Sequence, residues 1–358
     1  TVDDRSRGSA SRRVDKSTSG ARTPHRRRAY SAPRIVGLPS GMRTLPALVV
    51  LLACKGESLP LDLLVDADPG PGLLLGAWSH GDDVLAVGGT YGVDGHMVRI
   101  TPDGACLEAG STDGILWWIH GEGDDWYAVG EGGRIVHGDA WTREDVPTES
   151  TLFGVYVDGD TVWAVGGDVL VSQQGEIWRR QDGTWSRYRE GLPGLMFKVH
   201  DGWFVGDGLA YTLVDGELVE RPPPNGEKLL TVRSLGPDHA FAVGGVSQPV
   251  LLEWTGGAWT SHEVPLECAG SGGLNGVYTD DGETVHIAGN QGAAATRHPD
   301  GTWSCPEAPV TFDSFHAVWA HDGEVLWLGG NLFGSPPYHA SIAVDPGRGG
   351  PVTLAACP

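Results

Sequence analysis

Lysine is nearly missing from this sequence once its first segment is passed. No helical periodicity separates its apolar runs, which excludes helical bundles and solenoids. No apolar run approaches the roughly 20 residues that a membrane-spanning helix needs. Two catalytic signatures are also missing. There is no Gly-x-Ser-x-Gly elbow, the near miss having Ala269 where glycine is required, and no His-Glu-x-x-His. Basic residues are few beside acidic ones, 25 against 46, for a formal net charge of −21. Many of the basic residues crowd into the first 43 positions, so the rest of the chain is more acidic still. Such a surface repels nucleic-acid phosphate and anionic headgroups, and it favours cations, basic partners or simple solubility.

Glycine and tryptophan are abundant, and they recur in register. Thr161-Val162-Trp163-Ala164-Val165-Gly166-Gly167 has close copies at Val84–Gly89, Trp126–Gly130, Trp203–Gly206, Ala240–Gly245, Val285–Gly289 and Val325–Gly330. The shared glycine returns every 36 to 45 residues or so, about the length of one four-stranded blade. Each copy sits in a cassette of strands: an apolar run such as Leu152–Val157, an acidic turn (Asp158-Gly159-Asp160), the Ala-Val-Gly strand, a Gly-rich loop, a third strand (Ile177-Trp178-Arg179), an Asp182-Gly183 turn and a final strand opening on Trp185. Asp-Gly between β-rich runs is a strong hairpin signal, because both residues tolerate positive φ. Seven cassettes fit between Leu73 and the C-terminus. The fold class is therefore all-β, a seven-bladed β-propeller over 73–358. A β-sandwich would give no reason for a fixed period.

The N-terminal part reads differently. Residues 1–41 are rich in Arg, Ser and Thr without a core pattern, as expected of a disordered leader or of sequence upstream of the true start. Met42-Arg43 and the apolar Leu45–Leu52, closed by Leu51-Leu52-Ala53-Cys54, resemble the lipobox of bacterial lipoprotein signal peptides. The resemblance implies a signal peptide over 42–53, lipid modification of Cys54 and a linker over 54–72. It places the protein in the bacterial cell envelope, with Lys55 pointing to an outer-membrane lipoprotein that faces the periplasm or the cell surface. A plain secretory signal or a buried apolar segment would use the same residues.

With Cys54 as an anchor, Cys106, Cys268, Cys305 and Cys357 form an even set, and export permits disulfides. Four cysteines allow three pairings, among which repeat phase chooses. Cys268 enters blade six and Cys305 leaves it. Cys106 lies late in blade one, while Cys357 is expected to end the last strand of blade seven. The expected pairs are Cys268 with Cys305 and Cys106 with Cys357, the second acting as a clasp across ring closure. No two of the four have the short spacing of zinc ligands.

Asp182-Gly183-Thr184-Trp185-Ser186 and Asp300-Gly301-Thr302-Trp303-Ser304 resemble Asp-box (BNR) repeats. With the Ala-Val-Gly-Gly strand, the region from about 73 to 350 resembles the YVTN/BNR-like propellers, including photosystem II assembly-factor-like repeats. The resemblance implies a structural box, its Asp holding the turn and its Trp packing between blades. The spacing here is compressed, and blade four has Asp215-Gly216-Glu217-Leu218 without the Trp. Such repeats specify fold far better than function. Sialidases share them but need three convergent arginines, and here only Arg233 falls on an inner strand.

Acidic first hairpins (Asp82-Asp83, Asp124-Asp125, Asp158 with Asp160, Asp201, Asp238, Asp280-Asp281, Asp322 with Glu324) form either a Ca²⁺-holding ring or ordinary Asp-Gly turns. No other cofactor is expected. His80, His120, His200 and His321 end inner strands near Trp78, Tyr156, Tyr278 and Trp319, where they would close the channel. Three second-to-third loops are long: Gly89 to His96, Gly167 to Glu176 and Gly330 to His339. Ring closure would bring Tyr91, Asp94 and His96 beside Asn331, Phe333, Tyr338 and His339, a mixture suited to a sugar, a peptide or a protein loop. The expected function is a monomeric, envelope-anchored, non-enzymatic binding or scaffold propeller whose partner is a protein, peptide or glycan. It would meet the membrane through its lipid anchor only. Two alternatives stay open: an extracellular hydrolase or lyase acting on a glycan or peptide, and a cation-dependent binder.

Overall fold

The structure, a computed structural model, describes residues 58–67, 70–347 and 352–358. Residues 1–57, with the leader, the signal-peptide reading and Cys54, lie outside the described residues. Seven sheets follow one another along the chain, antiparallel except for one C-terminal strand. Their inner strands are Leu73–His80, Leu116–Glu122, Thr151–Asp158, Met196–His200, Leu229–Ser234, Leu274–Tyr278 and Ser314–His321, in blades one to seven. Each packs against the inner strand of the next blade, and the seventh packs against the first. This closed cycle is the seven-bladed propeller.

The repeated Ala-Val-Gly strand is second in every blade and buried on both sides. Its glycine answers a steric demand rather than a dihedral one. A Cβ on Gly88 would stand 1.7 Å from the Leu73 carbonyl oxygen, one on Gly166 2.0 Å from that of Thr151, and one on Gly244 1.9 Å from that of Lys228. No side chain fits where the neighbouring inner strand begins. The Asp-Gly hairpins are as the sequence implies, with positive φ at Asp182-Gly183, Asp201-Gly202, Asp215-Gly216 and Asp322-Gly323. Tryptophans on the second strand tie blades together: fully buried Trp327 donates from Nε1 to the Ile287 carbonyl of blade six at 2.9 Å.

Ring closure departs from the sequence reading. Part of the expected linker, Asp62–Ala67, is a strand that pairs antiparallel with Ala340–Asp345 and supplies the outer edge of blade seven. Pro346 follows that third strand directly, and a proline cannot donate to a continuing ladder. The C-terminal segment goes elsewhere. Ala355–Ala356 pairs parallel with Gly104–Leu107 as a fifth strand on blade one, where Cys357 bonds Cys106. Cys357 therefore does not end blade seven. On its way the tail touches the N-terminal strand, Val352 N donating to Leu64 O at 2.8 Å. Cys268, in the short helix Leu266–Ala269, bonds Cys305 just past the outer strand of blade six.

Candidate binding site at the channel mouth

Every inner strand carries a β-bulge at the same place. The register slips between Leu74 and Gly76, Leu116 and Trp118, Leu152 and Gly154, Met196 and Lys198, Leu229 and Thr231, Leu274 and Gly276, and Phe315 and Ala317. A bulge inserts one unpaired residue and turns its side chain out of the regular alternation. The seven extra residues are Leu75, Trp117, Phe153, Phe197, Leu230, Asn275 and His316, and all seven line one cavity of about 220 Å³. Leu332 and Phe333, from the long loop of blade seven, complete its rim with Lys198, Lys228 and Thr231.

Five of the seven bulge residues are apolar. Phe197, Phe153 and Trp117 touch in sequence, with ring centroids 5.5 and 5.0 Å apart. Trp117 continues to Tyr91 at 5.6 Å, and Tyr91 to Tyr338 at 5.6 Å. An aromatic arc thus runs from the cavity into the loops of blades one and seven.

The polar wall is unusual in what it leaves unused. Thr231 Oγ1 donates to the Asn275 carbonyl at 2.6 Å, and Asn275 Nδ2 lies 3.0 Å from both Phe315 O and Asn290 Oδ1. Trp117 Nε1 and His316 Nε2 are buried without a hydrogen-bond partner among the described residues. Lys198 is 5% exposed and forms no ion pair among the described residues; its Nζ lies 3.0 Å from the Trp118 ring centroid. Burial pushes the Lys198 ammonium well below the usual lysine range. Burial, with a smaller contribution from Lys198, lowers His316 to about 4.

Three residues beyond each bulge the strands present Trp78, His120, Tyr156, His200, Arg233, Tyr278 and Trp319. This second layer packs across the channel and includes His120 and His200, whereas His80 and His321, expected to close the channel with them, end their strands two residues further on, beside Asp124 and Asp322. His120 and Tyr156 rings lie 4.3 Å apart, Tyr156 and His200 4.8 Å, Tyr278 and Trp319 4.9 Å. Arg233 sits over Tyr278 at 4.3 Å and reaches His200 at 2.9 Å and Asp280 at 2.9 Å. Burial, then the Arg233 charge, lowers His120 to about 3 and drives His200 well down.

Of the residues singled out from sequence, Tyr91 and Tyr338 meet, and Phe333 stands at the rim, 76% exposed. Asn331 and His339 instead hold their own loop: His339 N donates to Asn331 Oδ1 at 2.8 Å, while His339 Nε2 meets Asp313 at 2.8 Å. Asp94 and His96 pair with each other at 3.2 Å. The hairpin acids take separate partners, Asp83 with Arg99 at 3.0 Å and Asp281 with the Glu283 and Thr284 amides at 2.8 Å. Among the described residues no group of three or more His, Cys, Asp or Glu could hold a metal ion. Sequence reasoning missed the bulge ring and both lysines. The signal was present in the scarcity of lysine, since Lys198 and Lys228 are the only two after Lys55.

Comparison with solved structures gives the same architecture. A structure of YCF48 bound to D1 peptide aligns over 81% of this chain and 98% of its own, with a TM-score of 0.57 at 13% identity. A catalytically inactive virginiamycin B lyase from Staphylococcus aureus with quinupristin aligns over 79% and 98%, at 0.58 and 12%. The WD40 propeller domain of Doa1 aligns over 79% and 96%, at 0.57 and 10%. What they share is the fold. No protein-family model matches the chain, and no curated protein matches it. Identities this low carry the architecture and leave the site to be argued from its own residues.

Proposed function

We propose that this propeller is a binding protein that takes a segment of a partner protein or peptide at the channel mouth. The observation that carries the reading is the ring of seven bulge residues, one from every blade, around one apolar cavity continuous with Tyr91, Tyr338 and Phe333. Concave apolar sites with a few oriented polar groups are the usual form of a binding site. A non-enzymatic role is favoured because, among the described residues, the cavity is lined by no carboxylate and by one imidazole, His316, without a carboxylate partner there. That complexes with a D1 peptide and with quinupristin occur among the similar folds is compatible with this reading. Two disulfides support export, and the lipobox-like Leu51-Leu52-Ala53-Cys54 supports anchoring in the bacterial envelope. Fatty-acid labelling that marks the wild type but not Cys54→Ser would carry the anchor.

The binding reading is tested by selecting peptides from a displayed library on the wild-type propeller. Phe333→Ser at the exposed rim and Leu230→Trp in the cavity wall should each weaken the selected peptides about tenfold or more, with thermal stability little changed. Undiminished binding to both variants would place the site elsewhere.

A further inference from the structure

Lys198 and Lys228, the only lysines after Lys55, line the same cavity. Elsewhere the propeller meets its carboxylates with arginine or histidine, as in Arg99 with Asp83 and Glu108, Arg180 with Glu144, and His239 and His262 with Glu253. Lysine is kept for the channel mouth. Lys228 reaches Asp207 at 3.5 Å from the rim, but Lys198 has no counter-charge among the described residues, and a buried ammonium without one is costly. Among the described residues no carboxylate lines the cavity. Its free donors are the Lys198 amine and the indole N–H of Trp117, with the His316 imidazole beside them. The Thr231 hydroxyl and the Asn275 amide hydrogens are already committed. Inside a strongly acidic protein, this is a pocket built for the opposite sign.

We infer that the cavity takes a carboxylate carried on a compact aromatic or branched apolar group, with the carboxylate against Lys198 and the apolar body against Phe153, Phe197 and Leu230. The inference rests on the channel mouth being the binding site and adds the chemistry of what enters it. A carboxylate supplies the missing counter-charge where low dielectric makes a single pair strong. A phosphate would call for guanidinium forks, and among the described residues no arginine lines the cavity. The same chemistry has two sources, a small free acid or the terminus of a peptide ending in an apolar residue.

Calorimetry on the intact, disulfide-bonded propeller separates these cases. The probes are 3-phenylpropionate and its amide, and a hexapeptide ending in phenylalanine with a free or an amidated terminus. At least one acid should bind about tenfold or more tightly than its amide, and Lys198→Met should erase that preference. Lys228→Gln, at the rim and safe for folding, should weaken the acid a few-fold; if Lys198→Met does not fold, this variant decides, and unchanged affinity overturns the inference. Tighter binding of the peptide acid identifies a terminus as the source, and tighter binding of phenylpropionate a free acid. Equal binding of acid and amide, abolished by Leu230→Trp, would overturn the carboxylate while leaving the mouth as a binding site. Acid binding untouched by Leu230→Trp would overturn the mouth itself, and no binding of either acid overturns the inference.

Discussion

The Lys198 amine lies 3.0 Å from the centre of the Trp118 ring, although the two residues belong to blades four and two. Blade three contributes Gly154 at the equivalent position, where a Cβ would stand 3.0 Å from the Lys198 Cα. A missing side chain in one blade thus lets its two neighbours meet inside the channel.

The burial of Lys198 sets a pH slope. Its folded-state pKa is depressed, so between that lowered value and about 10.4 the unfolded chain holds a proton that the folded chain does not. Stability therefore rises with pH across this window by about 1.4 kcal/mol per pH unit for this one group. Lys198→Met removes the slope. Urea unfolding should find the variant more stable than wild type at pH 7, with the advantage shrinking by pH 9.5; an equal advantage at both would show that Lys198 is charged in the folded protein.

Acid should loosen the propeller well before its carboxylates protonate. Burial holds His120 at about 3, with Arg233 adding to it, and holds His286 and His316 at about 4. Each stays neutral in the folded state while the unfolded state gains a proton below about 6.5, so stability is lost as pH falls from there towards 4. His316→Gln should reduce the loss between pH 7 and 5 by about 2 kcal/mol. Denaturant titrations at the two pH values measure it.

The repeated glycine predicts a sharp contrast. Gly244→Ala would drive a Cβ to 1.9 Å from the Lys228 carbonyl and should cost about 3 kcal/mol, whereas Gly257→Ala has nothing within 4 Å and should be nearly neutral. Melting temperatures of the two variants give the comparison.

Ring closure rests on the N-terminal strand more than on the disulfide clasp. Removing residues through Ala67 leaves the Ala340–Asp345 edge unpaired and should give aggregation. Cys106→Ser with Cys357→Ser opens a cross-link spanning 251 residues and should cost at most about 5 kcal/mol by loop entropy while leaving the blades paired. Size-exclusion chromatography and thermal melts distinguish these outcomes.

How much of this was legible in the sequence follows from which interactions are local. The Gly88 to Gly329 repeat and the Asp-Gly turns obey short-range sterics, so blade number and hairpins could be read directly. The second-layer residues Tyr156 and His200 were also visible, because they lie in or at the end of strands of recognisable period. Asp62–Ala67 was hidden, since its partner lies far along the chain and its six residues resemble a short apolar stretch in a linker. The bulge ring was hidden for another reason. Leu75, Phe153 and Phe197 look like ordinary strand residues, and only a slipped register turns them to the axis. Tyr91 and Tyr338 could be placed together from topology alone, but the packing of Tyr91 on Trp117 could not.

Binding of partners at the channel mouth can be mapped residue by residue. A benzophenone-bearing analogue of a library-selected peptide, photolysed on the folded propeller and mapped by mass spectrometry, tests it most directly. A partner seated at the mouth should leave adducts on Trp117, Leu332 and Phe333 that an excess of unmodified peptide suppresses. Adducts concentrated instead on the acidic first hairpins, around Asp82-Asp83 and Asp124-Asp125, would contradict it.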